Sequence, residues 1–386
     1  MTETTAPDQT IVVKIGSAVL LRDGVNPDRP AFCALVEELA ALVLAGRKVV
    51  VVTSGAVATG RQKLNLTRSP TGERNIPVLQ ALAALGQSRL IQHYESEFAL
   101  YGLHVAQILL TRDDFNDRRR YINARHALKA VQDFGAVPII NENDTVATEE
   151  IRFGDNDQLA AMVAAMIGAE RLLLLSDVDA LYTADPNQDP DARRIAQHAA
   201  FAPELDAMVG GSNAQAGVGT GGMRTKLLAA RIAATVAIPT VIAPGKQPGI
   251  IGRILNGDDV GTTLLPDPSV DRVASRKAWI GTGVQPRGRL VCDQGAVVAI
   301  VERGKSLLPS GIVNVEGDFR EGDAVELVDV RGDRFAQGLS SYAADAVRTI
   351  QGRHSADIAD LLGYRVFDAV VHRDELVLNL QFEPEQ

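Results

Sequence analysis

Short runs of uninterrupted apolar residues alternate with longer helical patterns through the first two thirds of the chain. Thr10 to Ile15, Lys48 to Thr53 and Arg171 to Leu175 are runs of this kind, rich in valine, isoleucine and leucine. Strands with unbroken apolar sequences are buried on both faces, as in a parallel sheet with helices on both sides. The pattern predicts an α/β fold, an αβα sandwich with a mainly parallel sheet. Similar patterns predict strands at 105–110, 137–140 and 238–243, and helices at 31–45, 76–100 and 158–167.

Polar residues and glycines repeatedly follow these predicted strands. In open α/β sheets, ligands bind beyond the carboxyl ends of the strands. The sequence therefore predicts a functional site at that edge of the sheet. The residues in question are Gly16, Ser17, Ser54, Gly55, the stretch Asn141 to Asp144, Ser176 and Asp177.

The pattern changes near Pro266. After Arg276 the apolar runs are short and bounded by glycine, which predicts closely spaced strands and a small C-terminal β-barrel. We therefore expect a first domain at 1–265, a linker at 266–275 and a second domain at 276–386. The short runs lie at 290–292, 297–301, 312–315, 324–329 and 335–338.

Composition excludes several classes of protein. The formal net charge of −9 disfavours a protein built mainly to hold nucleic acid or an anionic membrane. Cys33 and Cys292 are the only cysteines, too few for a disulfide framework or a zinc site. The first ten residues are polar and do not resemble a secretory signal, and no apolar stretch approaches the roughly 20 residues that cross a bilayer. These features predict a cytoplasmic protein that does not insert into membranes.

Lys14 lies near the end of the first buried strand, just before Gly16. An ammonium group in an apolar run is costly to bury unless it has an anionic partner or reaches water. Lys14 is therefore either a fixed cation for a phosphate or a surface lysine whose ammonium group extends into solvent.

Two polar clusters, Asn141 to Asp144 and Gly154 to Asp157, lie close together in sequence, and the second opens onto an apolar helix. One of these residues can cap the helix, but a cap explains only one of them. Carboxylates can hold Mg²⁺ together with nucleotide phosphates, and amides can pair with the carboxylate or amine of a substrate.

The stretch Gly217 to Lys226 formally matches the dinucleotide pattern G-x-G-x-x-G. No clear buried strand precedes it, and it lies near the end of the α/β region, so we reject that interpretation. It also lacks the G-K-[ST] of a P-loop. A glycine-rich turn leading into a helix can still cradle phosphates with backbone N–H groups. The alternative is a plain flexible loop.

Together these segments resemble the amino-acid kinase family over essentially the full chain. The matching motifs include VVKIGSAVL (12–20), VVVTSGAVATGR (50–61), GQSRL (86–90), INENDTVAT (140–148), FGDNDQLAA (153–161) and GTGGMRTK (219–226). Their combination in this order is specific, although no single motif is. The later segment SLLPSGIVNVEGDFREGDAVELVD (306–329) resembles a PUA domain.

The resemblance implies transfer of the γ-phosphate of ATP to the γ-carboxylate of L-glutamate, which gives γ-glutamyl phosphate, the first intermediate of proline synthesis. It implies catalytic roles for Lys14, Asp157 and Lys226, with Asp157 organising the two lysines. It further implies proline as a feedback inhibitor, a homo-oligomer (dimer or tetramer), and Mg²⁺ held through the ATP phosphates. Glutamate would be held by Ser54, Asp144 and Asn156, and ATP by Lys14, Ser176, Asp177, Thr220, Gly221, Gly222, Met223, Arg224, Thr225 and Lys226.

Two other functions are compatible with the sequence. One is an RNA-binding protein that uses the PUA-like domain, but residues 276–386 contain 13 Lys and Arg against 17 Asp and Glu. Because phosphate contact needs a basic face, this acidic balance disfavours RNA binding. The other is a related kinase with a different acceptor, such as aspartate or acetylglutamate.

Overall fold

The computed structural model describes residues 10–22, 26–66, 75–147, 156–186, 188–209, 222–270 and 286–379. The chain forms two compact units. The first contains the segments up to Asn116 and from Asn123 to Val270, and the second contains Asp117–Ile122 and the segment from Asp271 onward. We propose that the domains divide within 266–275, of which 271–275 lie outside the described residues.

The first unit is built on an eight-stranded sheet with the order β3-β4-β2-β1-β5-β7-β8-β6. Every described pairing in it is parallel except that of β7 with β8. This confirms the predicted α/β fold and its mainly parallel sheet. Its strands are β1 (Thr10–Ile15), β2 (Lys48–Thr53), β3 (Val105–Leu110), β4 (Val137–Glu142), β5 (Arg171–Ser176), β6 (Gln197–Ala199), β7 (Thr240–Pro244) and β8 (Thr262–Leu265).

Strand β1 is fully buried and lies between β2 and β5. Ile15 pairs in register with Thr53 on one side and Leu175 on the other. The carboxyl ends of these three central strands therefore meet at one edge of the sheet.

Helices lie against both faces of this sheet. Successive strand residues point to opposite faces, so neighbouring residues of β1 contact different helices. Ile11, Val13 and Ile15 of β1 join a core with residues of α1–α4 and α10. Lys14, on the opposite face, reaches α7. The helices of this unit are α1 (Ser17–Leu20), α2 (Arg29–Leu44), α3 (Ala56–Lys63), α4 (Ile76–Ala99), α5 (Arg112–Asn116), α6 (Arg118–Asp133), α7 (Asn156–Ile167), α8 (Glu204–Val209), α9 (Met223–Ala234) and α10 (Ile250–Asn256). Helix α6 begins within the segment assigned to the second unit.

Helices α3 and α4 cross at two glycines. A Cβ atom on Gly60 would lie 1.9 Å from the carbonyl oxygen of Leu82, and one on Gly86 would lie 1.9 Å from that of Ala56. Only glycine permits backbones to approach this closely. The crossing brings the inner face of α4 close to α3, which begins directly after Ser54 and Gly55.

The second unit contains a five-stranded sheet with the order β10-β9-β11-β12-β13, in which β9 and β11 pair in parallel and the other neighbours are antiparallel. Its strands are β9 (Gly288–Cys292), β10 (Ile312–Gly317), β11 (Ala324–Val328), β12 (Arg334–Ser340) and β13 (Val371–Leu378), and its helices are α11 (Gln294–Val301), α12 (Ala344–Ile350) and α13 (Ile358–Leu362). Two short 3₁₀ turns lie at Pro309–Gly311 and Ser355–Asp357.

One predicted strand of this unit is wrong. The valine-rich run at 297–301 forms part of helix α11. The carboxylate of Asp293 accepts a hydrogen bond of 2.7 Å from the backbone N–H of Ala296 and so caps the helix. Val297 and Ile300, three residues apart, then share one face that is buried in the core of the unit.

No helix in the described part of the chain is long and apolar enough to cross a membrane.

Candidate active site

Two lysines and one aspartate form a buried cluster at the carboxyl edge of the sheet. Lys14 Nζ lies 2.6 Å from Asp157 Oδ1, and Lys226 Nζ lies 3.1 Å from Asp157 Oδ2. The side chains of Lys14, Lys226 and Asp157 are 6%, 2% and 0% exposed. Lys14 therefore does not extend into solvent. Strand β1, helix α7 and helix α9 each contribute one residue, so the cluster joins three distant parts of the chain.

The charges of this cluster do not cancel, since two ammonium groups face one carboxylate. Burial by itself raises the pKa of Asp157, but the two lysines outweigh it and hold the pKa below its usual value. Thr225 also donates a hydrogen bond of 3.3 Å to Asp157 Oδ2. The cluster thus offers a fixed excess of positive charge that an anionic ligand can use.

Gly16 leaves space beside the Lys14 ammonium group. A Cβ atom at this position would lie 3.7 Å from Lys14 Nζ and 3.3 Å from the carbonyl oxygen of Leu175. Any larger side chain would occupy the approach to the ammonium group. The sequence therefore keeps room here for an anion such as a phosphoryl group.

A chain of side-chain amides lies beside the lysine cluster. Asn156 Nδ2 donates to the carbonyl oxygen of Thr53 at 2.5 Å and to Asn141 Oδ1 at 2.8 Å. Asn141 Nδ2 in turn donates to Gln87 Oε1 at 2.7 Å. We call Gln87, Asn141 and Asn156 the amide relay. It ties β4, α7 and the end of β2 to helix α4.

The direction of the amide relay is fixed at one end. The carbonyl oxygen of Thr53 can only accept, so the Asn156 atom next to it must be the NH₂ nitrogen. That nitrogen carries two hydrogens, which Thr53 and Asn141 take. The Asn156 carbonyl oxygen is then left to face a donor, such as the ammonium group of an amino acid.

Ser54 lies next to the same nitrogen, with its hydroxyl oxygen 3.1 Å from Asn156 Nδ2. An amide nitrogen does not accept hydrogen bonds, so the serine hydrogen points elsewhere. Ser54 can therefore donate to a carboxylate. Gly55, which follows, has a φ of 101° and leads directly into α3.

Asp144 follows β4 and is largely buried, and burial raises its pKa to about 6. Helix α4 supports this segment through Gln80, whose Nε2 donates to the carbonyl oxygen of Ala147 at 3.2 Å. No described hydrogen bond joins the Asp144 carboxylate to Ser54 or Asn156, so its place in a glutamate site stays a prediction.

The remaining predicted ATP contacts lie at the ends of β5 and the start of α9. Ser176 is buried, and its hydroxyl accepts a hydrogen bond of 3.1 Å from the N–H of Val178, while Asp177 is exposed. Gly222 precedes α9 with no side-chain cap, and Met223, Arg224 and Thr225 form its first turn. The N–H of Thr225 already donates to the carbonyl oxygen of Gly222 at 3.0 Å, so within these three residues the turn offers at most the N–H groups of Met223 and Arg224 to an anion. Thr220 and Gly221, together with Asp155 of the polar cluster, lie outside the described residues.

Sequence reasoning missed the contribution of helix α4. Gln80, Gln87 and Tyr94 are spaced by seven residues, close to two helical turns, and so lie on one face. The hydroxyl of Tyr94 is 2.8 Å from that of Thr53, and both are buried. Polar residues recurring along an apolar helical stripe were the signal available in the sequence.

Comparisons with known proteins identify the family. The sequence profile of the amino acid kinase family matches residues 9–244, and that of the PUA domain matches residues 288–362. A glutamate 5-kinase of Thermus thermophilus is 48% identical over 368 residues, covering 95% of this chain and 96% of that protein. The glutamate 5-kinases of Chromohalobacter salexigens and Pseudomonas entomophila are 48% and 47% identical, covering 95% and 96% of this chain and 95% and 98% of their own.

Among solved structures, a UMP kinase from Bacillus anthracis aligns with a TM-score of 0.46 at 17% identity, covering 68% of this chain and 98% of that chain. The sequence matches span the α/β unit, the C-terminal sheet and the motifs that carry the lysine cluster. The chain therefore belongs to the amino acid kinase family and, within it, to the glutamate 5-kinase group with a C-terminal PUA domain.

Proposed function

We propose that this protein transfers the γ-phosphate of ATP to the γ-carboxylate of L-glutamate, giving γ-glutamyl phosphate as the first step of proline synthesis. The observation that carries the proposal is the pairing of Lys14 and Lys226 with Asp157, directly beside the amide relay. One part of the site favours phosphate and the adjoining part favours an amino acid.

The chemistry needs no general base, because a carboxylate is already a nucleophile at neutral pH. The obstacle is the repulsion between two anions, which positioned positive charge reduces. The ammonium groups of Lys14 and Lys226 contact the transferring phosphoryl group and its bridge to the β-phosphate. Asp157 orients both lysines and takes no proton.

Glutamate is held through its ammonium group and one of its carboxylates. Asp144 and the carbonyl oxygen of Asn156 accept hydrogen bonds from its ammonium group, and Ser54 donates to a carboxylate. This set of partners favours an amino acid over a simple dicarboxylate, since a dicarboxylate would leave the acceptors unpaired.

ATP is held by Ser176, Asp177 and the stretch from 220 to 226, together with Lys14. Among the described residues, no group of three or more His, Cys, Asp or Glu side chains is arranged to hold a metal ion. Both carboxylate oxygens of Asp157 already contact ammonium groups. Mg²⁺ would be held through the ATP phosphates and would neutralise part of their charge.

The test is ADP release by the full chain with ATP and Mg²⁺ and one acceptor at a time. Glutamate is the expected substrate, and aspartate, N-acetylglutamate and glutarate are the competitors. Trapping the acyl phosphate with hydroxylamine identifies the product. A higher kcat/KM with any competitor than with glutamate would overturn the proposal.

The proposal includes a regulatory and cellular setting: proline inhibits the enzyme, which is a cytoplasmic homo-oligomer, a dimer or a tetramer. Inhibition by proline in the same assay and light scattering coupled to size exclusion test the first two points. We do not expect RNA to be a partner, because the C-terminal segment is acidic, and filter binding at low salt tests that expectation.

A further inference from the structure

Helix α4 supports the candidate active site through a row of polar side chains. Gln80 binds the loop after β4, Gln87 binds Asn141 on β4, and Tyr94 binds Thr53 at the end of β2. Between these positions the same face of α4 carries Ala83 and Leu90, which are buried. Burying a polar group on such a face costs free energy unless the group is hydrogen-bonded, and each of these three side chains is.

Within this row, Gln87 holds the outer end of the amide relay. Asn141 is 2% exposed, so its NH₂ group has little access to water. Its Oδ1 accepts from Asn156, which forces its Nδ2 toward Gln87. The Gln87 oxygen satisfies that donor. Without the Gln87 oxygen, Asn141 keeps an unpaired buried N–H, or its side chain rotates away from Asn156.

We propose that Gln87 is a positioning residue for the amino-acid acceptor, which fixes the amide orientation of Asn141 and, through it, the carbonyl oxygen of Asn156 that faces the substrate amine. The inference rests on the proposed function, because it concerns the same acceptor site. It adds a residue on a helix outside the motifs that carry the lysine cluster. Gln87 itself need not touch the substrate.

Two substitutions at Gln87 separate its oxygen from its size. Gln87→Met keeps the length of the side chain and removes the acceptor. Gln87→Glu keeps an acceptor oxygen at the same place. Gln92→Met is the matched control, because Gln92 is an exposed residue on the same helix.

We expect Gln87→Met to raise KM for glutamate about tenfold, with kcat and KM for ATP within about twofold of wild type. The preference for glutamate over glutarate, which lacks the amine, should narrow by a similar factor. Gln87→Glu should bring KM for glutamate most of the way back to the wild-type value, and Gln92→Met should behave as wild type. Circular dichroism and thermal melting verify that each variant is folded.

A double-mutant cycle tests whether Gln87 acts through Asn141. In an Asn141→Ala background, Gln87→Met should leave KM for glutamate unchanged, because the donor it satisfies is gone. Additive effects would overturn the inference, as would an unchanged KM in Gln87→Met alone or an equal rise in Gln92→Met. A wild-type enzyme that releases no ADP with glutamate would instead overturn the proposed function.

Discussion

At the scale of single residues, Asn156 and Asp157 are neighbours with different surroundings. The amide of Asn156 joins the relay, whereas the carboxylate of Asp157 contacts the ammonium groups of Lys14 and Lys226 and the hydroxyl of Thr225. Binding of the acceptor and transfer of the phosphoryl group are therefore separable within two adjacent positions.

We expect Asp157→Asn to lower kcat by about 100- to 1000-fold, because the lysines lose the charge that orients them. KM for glutamate should change little. Asn156→Ala should instead raise KM for glutamate strongly, since it removes an interaction made already in the ground state. Steady-state kinetics of both variants, with circular dichroism as the folding control, measure the contrast. The same change in both parameters for both variants would contradict this division of roles.

Asp144 should make glutamate binding depend on pH. Burial raises its pKa to about 6, above its usual value, so ionising it costs folding stability as pH rises from about 4 to about 6. A bound ammonium group offsets that cost and requires the ionised form. KM for glutamate should therefore rise as pH falls through about 6, by up to about tenfold per pH unit below it.

The measurement is KM for glutamate between pH 5 and pH 8 at saturating ATP. In Asp144→Asn this dependence should flatten, and KM should be high throughout. An Asp144→Asn profile that keeps the wild-type inflection would assign the titration to another group.

At the scale of secondary-structure elements, we expect the crossing of α3 and α4 to couple folding stability to the proposed acceptor site. A Cβ on Gly86 would lie 1.9 Å from the carbonyl oxygen of Ala56 and 2.4 Å from the backbone nitrogen of Gly60. Gly86→Ala should therefore force the helices apart and cost about 1–3 kcal/mol or more of unfolding free energy. Because α3 begins after Ser54, KM for glutamate should rise as well.

Gly252→Ala is the control, since Gly252 lies within α10 and a Cβ there would meet nothing within 4 Å. Alanine should be neutral or stabilising there, by up to about 1 kcal/mol. Urea unfolding followed by circular dichroism compares the two variants. Equal stability for both would mean that the helices separate at little cost.

The elements of the first unit follow from sequence far better than their arrangement does. Unbroken apolar runs located its central strands, because burial on both faces leaves that signature. The run at 297–301 was misread, since a short apolar run is compatible with strand or helix, and the capping by Asp293 was overlooked. Strand order, the glycine crossing and the direction of the amide relay depend on contacts between distant segments, which no local pattern records.

The same limit applies to the site. Lys14 was singled out because a cation in a buried strand is unusual, and Lys226 because it ends a glycine-rich motif. The family resemblance implies their shared partner, whereas it assigns no role to Gln87, which lies in a matching motif, and Tyr94 lies outside the matching motifs. Each lies on an apolar face of α4, and its hydrogen-bond partner cannot be inferred until the strands that face the helix are known.

At the scale of the whole molecule, all described residues of the candidate site lie in the first unit. We predict that a chain ending at Val270 folds and still releases ADP with glutamate. Its melting temperature should fall, because Ile122 packs with Ala324 and Leu339 in the second unit and would lose that cover. The assay compares the truncated and full chains at equal folded concentration. A soluble, folded truncation without activity would show that the C-terminal unit is needed for catalysis.

The shared contacts of Asp157 also bear on how the protein matures. Strand β1 lies between β2 and β5, and Lys14 and Lys226 come from nearly opposite ends of the first unit. Parallel pairing of segments far apart in sequence is slow, because long loops must close first. Lys14 is synthesised early, but Lys226 cannot contact Asp157 until α9 has left the ribosome. Catalytic competence therefore cannot precede the emergence of α9, and in refolding from urea enzyme activity should lag behind helical content.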